Sequence, residues 1–205
     1  PNANSTTAIV TSTAVPPECN GGGGGGTVVF SDDFETNKGW TTAAGTPAAV
    51  TGQWERGNPA GTTSGGVTTQ NNTTTSGVNA LVTAAAAGAA AGTNDVDGGV
   101  TTITSPAITL PSSGTSSVTF QSYFAHLNNS AADDFFRLEI VGSTTAQLLN
   151  VPGAATNVGA TYSSRTINIP AAFAGQTVRF RFSAADNGTA SLVEASVDDF
   201  SVNNQ

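Results

Sequence analysis

Apolar side chains in this sequence recur every second residue in short runs, and no run is long enough to make a helix of several turns. Thr177-Val178-Arg179-Phe180-Arg181-Phe182 places Val178, Phe180 and Phe182 on one face and Arg179 and Arg181 on the other. Phe136, Leu138 and Ile140 alternate with Arg137 and Glu139. Val118, Phe120 and Phe124 share a face with Ser122 between them, and Ile167 and Ile169 alternate within 165–170. A period of two belongs to a strand with one buried face. Further strands are expected at 27–31, 51–56, 79–83, 99–104, 106–110, 146–150 and 191–203, set apart by Gly, Pro and Asn clusters. One helical turn is conceivable over the Ala-rich residues 84–91, but Gly88 and the short length argue against a longer helix. Many short strands with frequent turns predict an all-β fold, a jelly-roll β-sandwich of two antiparallel sheets. The polar excess is Thr, Ser, Asn and Gly, with only 10% of residues charged, which is not the usual signature of a disordered chain.

The sandwich is expected over residues 27–205. Ahead of it, residues 1–18 form an extended tail and residues 19–26 a Cys/Gly-rich linker with six consecutive glycines. The tail holds one strand-like run, from Ala8 to Val15, stopped by Pro16-Pro17. It reads as the end of a preceding domain or as a donor strand that pairs with a neighbour's sheet edge, with Ile9, Val10 and Val15 as its assembly residues. The absence of Met predicts a processed or excised segment, exported and cleaved, with no signal peptide or membrane-spanning run left in it. Cys19 is the single cysteine, so no disulfide forms within one copy, and its partner lies elsewhere or it stays a free thiol.

Charge narrows the partners. The net charge is −8 and Lys38 is the one lysine, so there is no basic patch for nucleic acid or an anionic membrane. The acidic residues fall in groups: Asp32, Asp33 and Glu35 after the first strand, Asp95 and Asp97 before Gly98-Gly99, and Asp198-Asp199 in the last. Carboxylates gathered without bases are costly to bury, and hard oxygen ligands beside glycines suit Ca²⁺. The alternative is that these are solvated turn residues. Asp133-Asp134 reads as a solvated hairpin loop. In the last strand Val193, Ala195 and Val197 give way to Phe200 and Val202, a change of parity that predicts a bulge at Asp198-Asp199.

Catalytic constellations are lacking. His126, the single histidine, stands at a strand end without a Gly-x-Ser-x-Gly elbow and reads as a hydrogen-bonded structural residue. Trp40 and Trp54 read as core or rim packing rather than sugar platforms. Zinc is disfavoured by one His and one Cys.

The order of several motifs resembles MAM-like jelly-roll domains. Phe30-Ser31-Asp32-Asp33-Phe34-Glu35 is followed by Gly39-Trp40 and Gly52-Gln53-Trp54-Glu55. Then come Asp95-Val96-Asp97-Gly98-Gly99, Thr104-Ser105-Pro106-Ala107-Ile108, the run from Phe173 to Phe180, and Val197-Asp198-Asp199-Phe200-Ser201-Val202. This pattern, over about residues 29–203, is similar to C-terminal accessory domains of secreted bacterial metallopeptidases and related exported proteins. The resemblance implies export, an attached partner domain or neighbouring subunit, and calcium held by Asp33, Glu35, Asp97 and Asp199, with Asp32, Asp95 and Asp198 as further candidates. The domain lacks the disulfides of animal MAM domains. The expected function is a non-catalytic, calcium-stabilised extracellular binding or scaffolding domain. Alternatives are a subunit of an extracellular filament and a carbohydrate-binding module that takes an extracellular glycan.

Overall fold

The computed structural model describes residues 26–205 except Pro47, Ala87 and Ala89. The tail with Ile9, Val10 and Val15, and Cys19 in the linker, lie outside the described residues. Fourteen strands follow in order: β1 (Thr27–Asp32), β2 (Thr41–Ala44), β3 (Trp54–Gly57), β4 (Thr62–Ser64), β5 (Val67–Gln70), β6 (Ala80–Thr83), β7 (Gly99–Thr104), β8 (Ile108–Thr109), β9 (Ser116–His126), β10 (Phe135–Val141), β11 (Thr145–Pro152), β12 (Ser163–Asn168), β13 (Thr177–Asp186) and β14 (Val193–Asn204). A single 3-10 turn spans Ala171–Phe173. The residues described between 84 and 91 form no helix.

Two six-stranded antiparallel sheets make a jelly-roll-like sandwich. The first runs β12-β9-β14-β6-β3, with β1 also paired to β14. The second runs β11-β10-β13-β7-β2, with β8 also paired to β13. Strands β13 and β14, the longest members of their central pairs, therefore each hold two short strands in tandem along one side. β6 faces β14 at Ser196 and Val197, and β1 takes over from Phe200 to Asn204. The hairpin β4–β5 forms a third, two-stranded sheet. Strands β2, β4 and β5 were not expected from the sequence: they are three or four residues of Thr, Ser and Ala, Val and Gln, too short to show a period.

The parity change in β14 is present. Its register with β9 breaks between Asp198 and Ser201, and Asp199 takes a left-handed φ of 49°. An extra residue thereby returns Phe200 and Val202 to the buried face. Phe200 then meets Phe180 at 5.3 Å, Trp40 at 5.3 Å and Phe182 at 6.0 Å between ring centroids, all edge-on. Phe182 reaches on to Phe120 and Phe136, at 5.2 and 5.8 Å. Edge-to-face and offset pairs suit the ring quadrupoles, and this cluster joins the two sheets. Trp54 is buried in the same core and Trp40 packs at its rim, as the sequence predicts.

Phe182→Ala is expected to lower unfolding free energy by about 3–5 kcal/mol, since it removes the ring at the centre of this cluster. Val28→Ala, on a side chain 58% exposed, should stay within about 0.5 kcal/mol. Chemical denaturation of the two variants measures the contrast.

Candidate functional site

The acidic residues divide between two places. At the β14 bulge, Asp198 is buried and its Oδ2 accepts the N–H groups of Thr75 and Ser76 at 2.7 and 3.2 Å. Asp199 accepts the Ser76 hydroxyl at 2.6 Å. Glu35 accepts the N–H groups of Val78 and Asn79 at 2.9 and 2.7 Å, and these two donors hold its carboxyl below the usual range. Gly77 permits this docking: its φ is +60°, and a Cβ there would stand 2.3 Å from Glu35 Cδ. Asp32 accepts from Phe34 N–H and from the Trp40 indole, each at 2.9 Å, and lies 4.0 Å from the Lys38 ammonium. Burial still raises its carboxyl. Asp32, Asp33, Lys38 and Asp199 line one groove of about 270 Å³. The carboxylates here are supplied with donors, and they tie the 74–79 loop to both terminal strands.

The second group lies at the end of the sandwich where β13 stops and β14 starts. Asp95 Oδ2 accepts Val193 N–H at 3.4 Å, so Asp95 stands beside the first residue of β14. From there to Asp199 is six residues of strand, about 20 Å. The structure thus brings Asp33 and Asp199 together, with Glu35 and Asp198 around the same loop, and leaves Asp95 and Asp97 apart from them. The four residues Asp33, Glu35, Asp97 and Asp199 do not surround one ion. Among the described residues, no three Asp, Glu, His or Cys side chains are already grouped as metal ligands.

Near Asp95 lie two further acids that the sequence did not single out, Asp186 and Glu194, and Asp134 shares the Ser191 hydroxyl with Asp186. Asp134, expected in a solvated loop, is instead 1% exposed. It accepts from Ser130 Oγ at 2.7 Å, Ala131 N–H at 3.1 Å, Ser191 Oγ at 2.8 Å and Asn187 N–H at 2.8 Å. Asp134 is the last residue before β10 and ties the 130–134 turn to the 187–191 loop, which draws it out of solvent. Burial pushes its carboxyl up, but the donors around it outweigh burial and leave it low. Asp186 is bound to the same hydroxyl, with Ser191 Oγ at 3.0 Å, and burial raises it to about 6. A hydroxyl has one proton, so Ser191 cannot donate fully to both carboxylates. Glu194 is 3% exposed, bonded to the Thr83 hydroxyl, and raised well above its ordinary value by burial. Burial, with Asp97 nearby, pushes Asp95 up to about 7. His126 closes β9 beside this end, buried, with Nδ1 at 3.2 Å from Leu127 O, the structural role its position predicts.

The two outer faces of the sandwich differ. Over the β9–β14 sheet, Ala160 and Tyr162 cover Tyr123 and Ala125, and Tyr162 Oη bonds Ser196 Oγ at 2.7 Å. The β13 sheet keeps an open cleft of about 540 Å³. Strand register lays two rows across this sheet, Asn150, Arg137, Ser183, Thr102 and Ala43, then Gln147, Glu139, Arg181, Thr104 and Thr41, and all but Asn150, Gln147 and Thr41 line the cleft. Arg137 stacks on the Phe135 ring with its guanidinium carbon 4.0 Å from the centroid. Arg181 grips Glu139 through two nitrogens at 3.0 and 2.9 Å. The alternation of Arg with Phe in β10 and β13 was visible in the sequence, but not which strands would lie side by side.

No protein-family model and no curated protein matches the sequence. Solved structures do. The K3 cleaved adhesin domain of Lys-gingipain from Porphyromonas gingivalis W83 is 15% identical with a TM-score of 0.51, covering 88% of this chain and 100% of that one. The K1 cleaved adhesin domain of the same protein is 15% identical with a TM-score of 0.52, covering 86% and 98%. The CBM22-1 xylan-binding domain of Paenibacillus barcinonensis Xyn10C is 10% identical with a TM-score of 0.46, covering 89% and 97%. At such identities the two adhesin domains establish a shared β-sandwich fold and nothing further. No helix among the described residues is long and apolar enough to cross a membrane.

Asp198→Ala should cost about 2–4 kcal/mol, because two N–H groups of the 74–77 loop lose a charged acceptor; a denaturant titration measures it. The pH dependence has a definite sign. Asp186 and Asp95, raised to about 6 and about 7, hold protons more tightly folded than unfolded. Their contribution is complete below the unfolded value of about 4 and is lost as pH rises through about 6 to 7. Asp134, held low, acts oppositely and loses its contribution only in acid. In a chelator, melting temperature is expected to fall between pH 5 and pH 8, and Asp186→Asn to flatten that fall.

Proposed function

We propose that this is a non-catalytic extracellular binding domain of an exported bacterial protein, and that it holds a glycan along the open face of the β13 sheet. The observation that carries the reading is the cleft crossed by the two register rows. It combines hydroxyl and amide groups with a guanidinium-capped aromatic ring, and two of the chain's six basic residues, Arg137 and Arg181, line it. Sugar hydroxyls need planar, polar donors and acceptors in fixed positions, and a platform of four strands, β2, β7, β13 and β10, supplies these with little motion. The ordered motifs support a place among MAM-like accessory domains, and the adhesin domains of Lys-gingipain show that such a sandwich occurs as one unit of a larger protein. A glycan array followed by calorimetric titration of the hits tests the reading. Arg137→Ala should weaken binding at least about tenfold, or 1.4 kcal/mol, with an unchanged melting curve. Silence of the intact protein across the array removes the glycan reading.

A second reading is filament assembly. Strands β11 and β12 each end a sheet and present unpaired backbone groups to a donor strand. Deleting residues 1–18 should then abolish self-association in electron micrographs, and polymers formed without the tail would refute it.

A further inference from the structure

We infer that the domain takes up one calcium-like cation at the β13–β14 end, on Asp95 with Asp97 and Asp186, and not at the Asp33–Glu35–Asp199 edge. The inference is independent of the glycan reading, since the sheet-face cleft and this end are different surfaces.

The two acidic places differ in what already satisfies them. At the bulge edge, Lys38 stands beside Asp32, and backbone or hydroxyl donors reach Asp32, Asp33, Glu35, Asp198 and Asp199. An ion there would have to displace donors. At the other end, four carboxyls, Asp95, Asp134, Asp186 and Glu194, are each at most 3% exposed. The two ion pairs among the described residues, Lys38–Asp32 and Arg181–Glu139, include none of them. Their hydrogen bonds are also unequal. Asp134 has donors on both oxygens, and Glu194 has Thr83. Asp95 has only the 3.4 Å contact from Val193 on Oδ2, and its Oδ1 is buried with no donor at all. A buried carboxylate oxygen without a partner is costly, and a cation removes that cost.

The surroundings of that oxygen fit a hard ion. A Cβ built on Gly92 would meet only Asp95 Oδ1 and Leu192 Cδ1 within 4 Å, each at 3.9 Å, so the turn beside Oδ1 is loosely packed. Asp97 is half-buried on the same loop, and its Oδ2 has only the 3.3 Å contact from Thr51. Asp186 enters from β13, paired to Gly99. Gly92, Gly98 and Gly99 all have positive φ, which frees the loop to turn carbonyl oxygens inward. Calcium accepts this mixture, taking six to eight oxygens from carboxylates, carbonyls and water in flexible geometry. No three acids among the described residues are grouped as ligands, so carbonyl oxygens and water would complete the shell around Asp95.

The test is thermal denaturation of the full chain at pH 7.5 in EDTA and in calcium chloride, with calorimetric titration of calcium. The intact protein should melt about 5–10 °C higher at a hundredfold excess over Kd. Asp95→Asn and Asp97→Asn should each lose at least about tenfold in calcium affinity, while Asp199→Asn keeps the full response. In EDTA, Asp95→Asn should melt no lower than the parent, because it removes a charge that only the ion balances; a merely structural Asp95 would give the reverse. Should Asp95→Asn fail to fold, the half-buried Asp97→Asn still decides. Absence of any calcium response in the intact protein overturns the inference. So does a response that survives Asp97→Asn and disappears in Asp199→Asn.

Discussion

Strand β14 runs through the middle of one sheet and has to supply core residues along all its length. Up to Val197 it does so at odd positions, and from Phe200 at even ones. A regular strand would place Phe200 on the outer face, away from Phe180 and Phe182. The bulge at Asp198–Asp199 prevents this, and with it the aromatic cluster closes across the two sheets. The same bulge changes the strand's neighbour from β6 to β1. Its two carboxylates are then directed to the 74–77 loop, whose backbone donors they satisfy. Strain at Asp199, held at φ 49°, is tolerable because Asp enters the left-handed region more readily than most residues. One local irregularity thus sets the core, the sheet edge and the anchoring of a loop.

Electrostatics work against a chain of this composition. Fourteen acids meet six bases, so most buried carboxylates must be satisfied by neutral donors. The bulge edge achieves that with backbone N–H groups. The β13–β14 end does so unevenly: Asp134 takes four donors, Ser191 is divided between two carboxyls, and Asp95 keeps an orphan oxygen. Burial therefore lifts Asp95, Asp186 and Glu194 and favours their protonated forms. Acids gather at an end and an edge, while arginines gather on an outer sheet face that nothing among the described residues covers.

Most strands were legible: β1, β3, β6, β7, β8, β9, β10, β11, β12, β13 and β14 all overlap expected runs, and the β14 bulge was read from its parity. Strands β2, β4 and β5 were not, because runs of three or four mostly Thr, Ser and Ala residues, with Val67 and Gln70 in β5, show no alternation and owe their form to a neighbour's ladder. The acids were legible as an excess without bases, but their grouping was not. Proximity in sequence linked Asp133 and Asp134 to a hairpin tip, yet Asp134 is drawn inward by donors from 130, 131, 187 and 191. Likewise, Asp97 was expected to share an ion with Asp199, but Asp95 of the Asp97 loop meets the first residue of β14, six positions before Asp199. What the sequence by itself determined is therefore what depends on neighbours along the chain: the period of each strand, the bulge, the charge balance and the all-β class. Which carboxylates share a donor, which oxygen is left without one, and which face stays open were decided only by the tertiary structure, because those depend on which strands lie side by side.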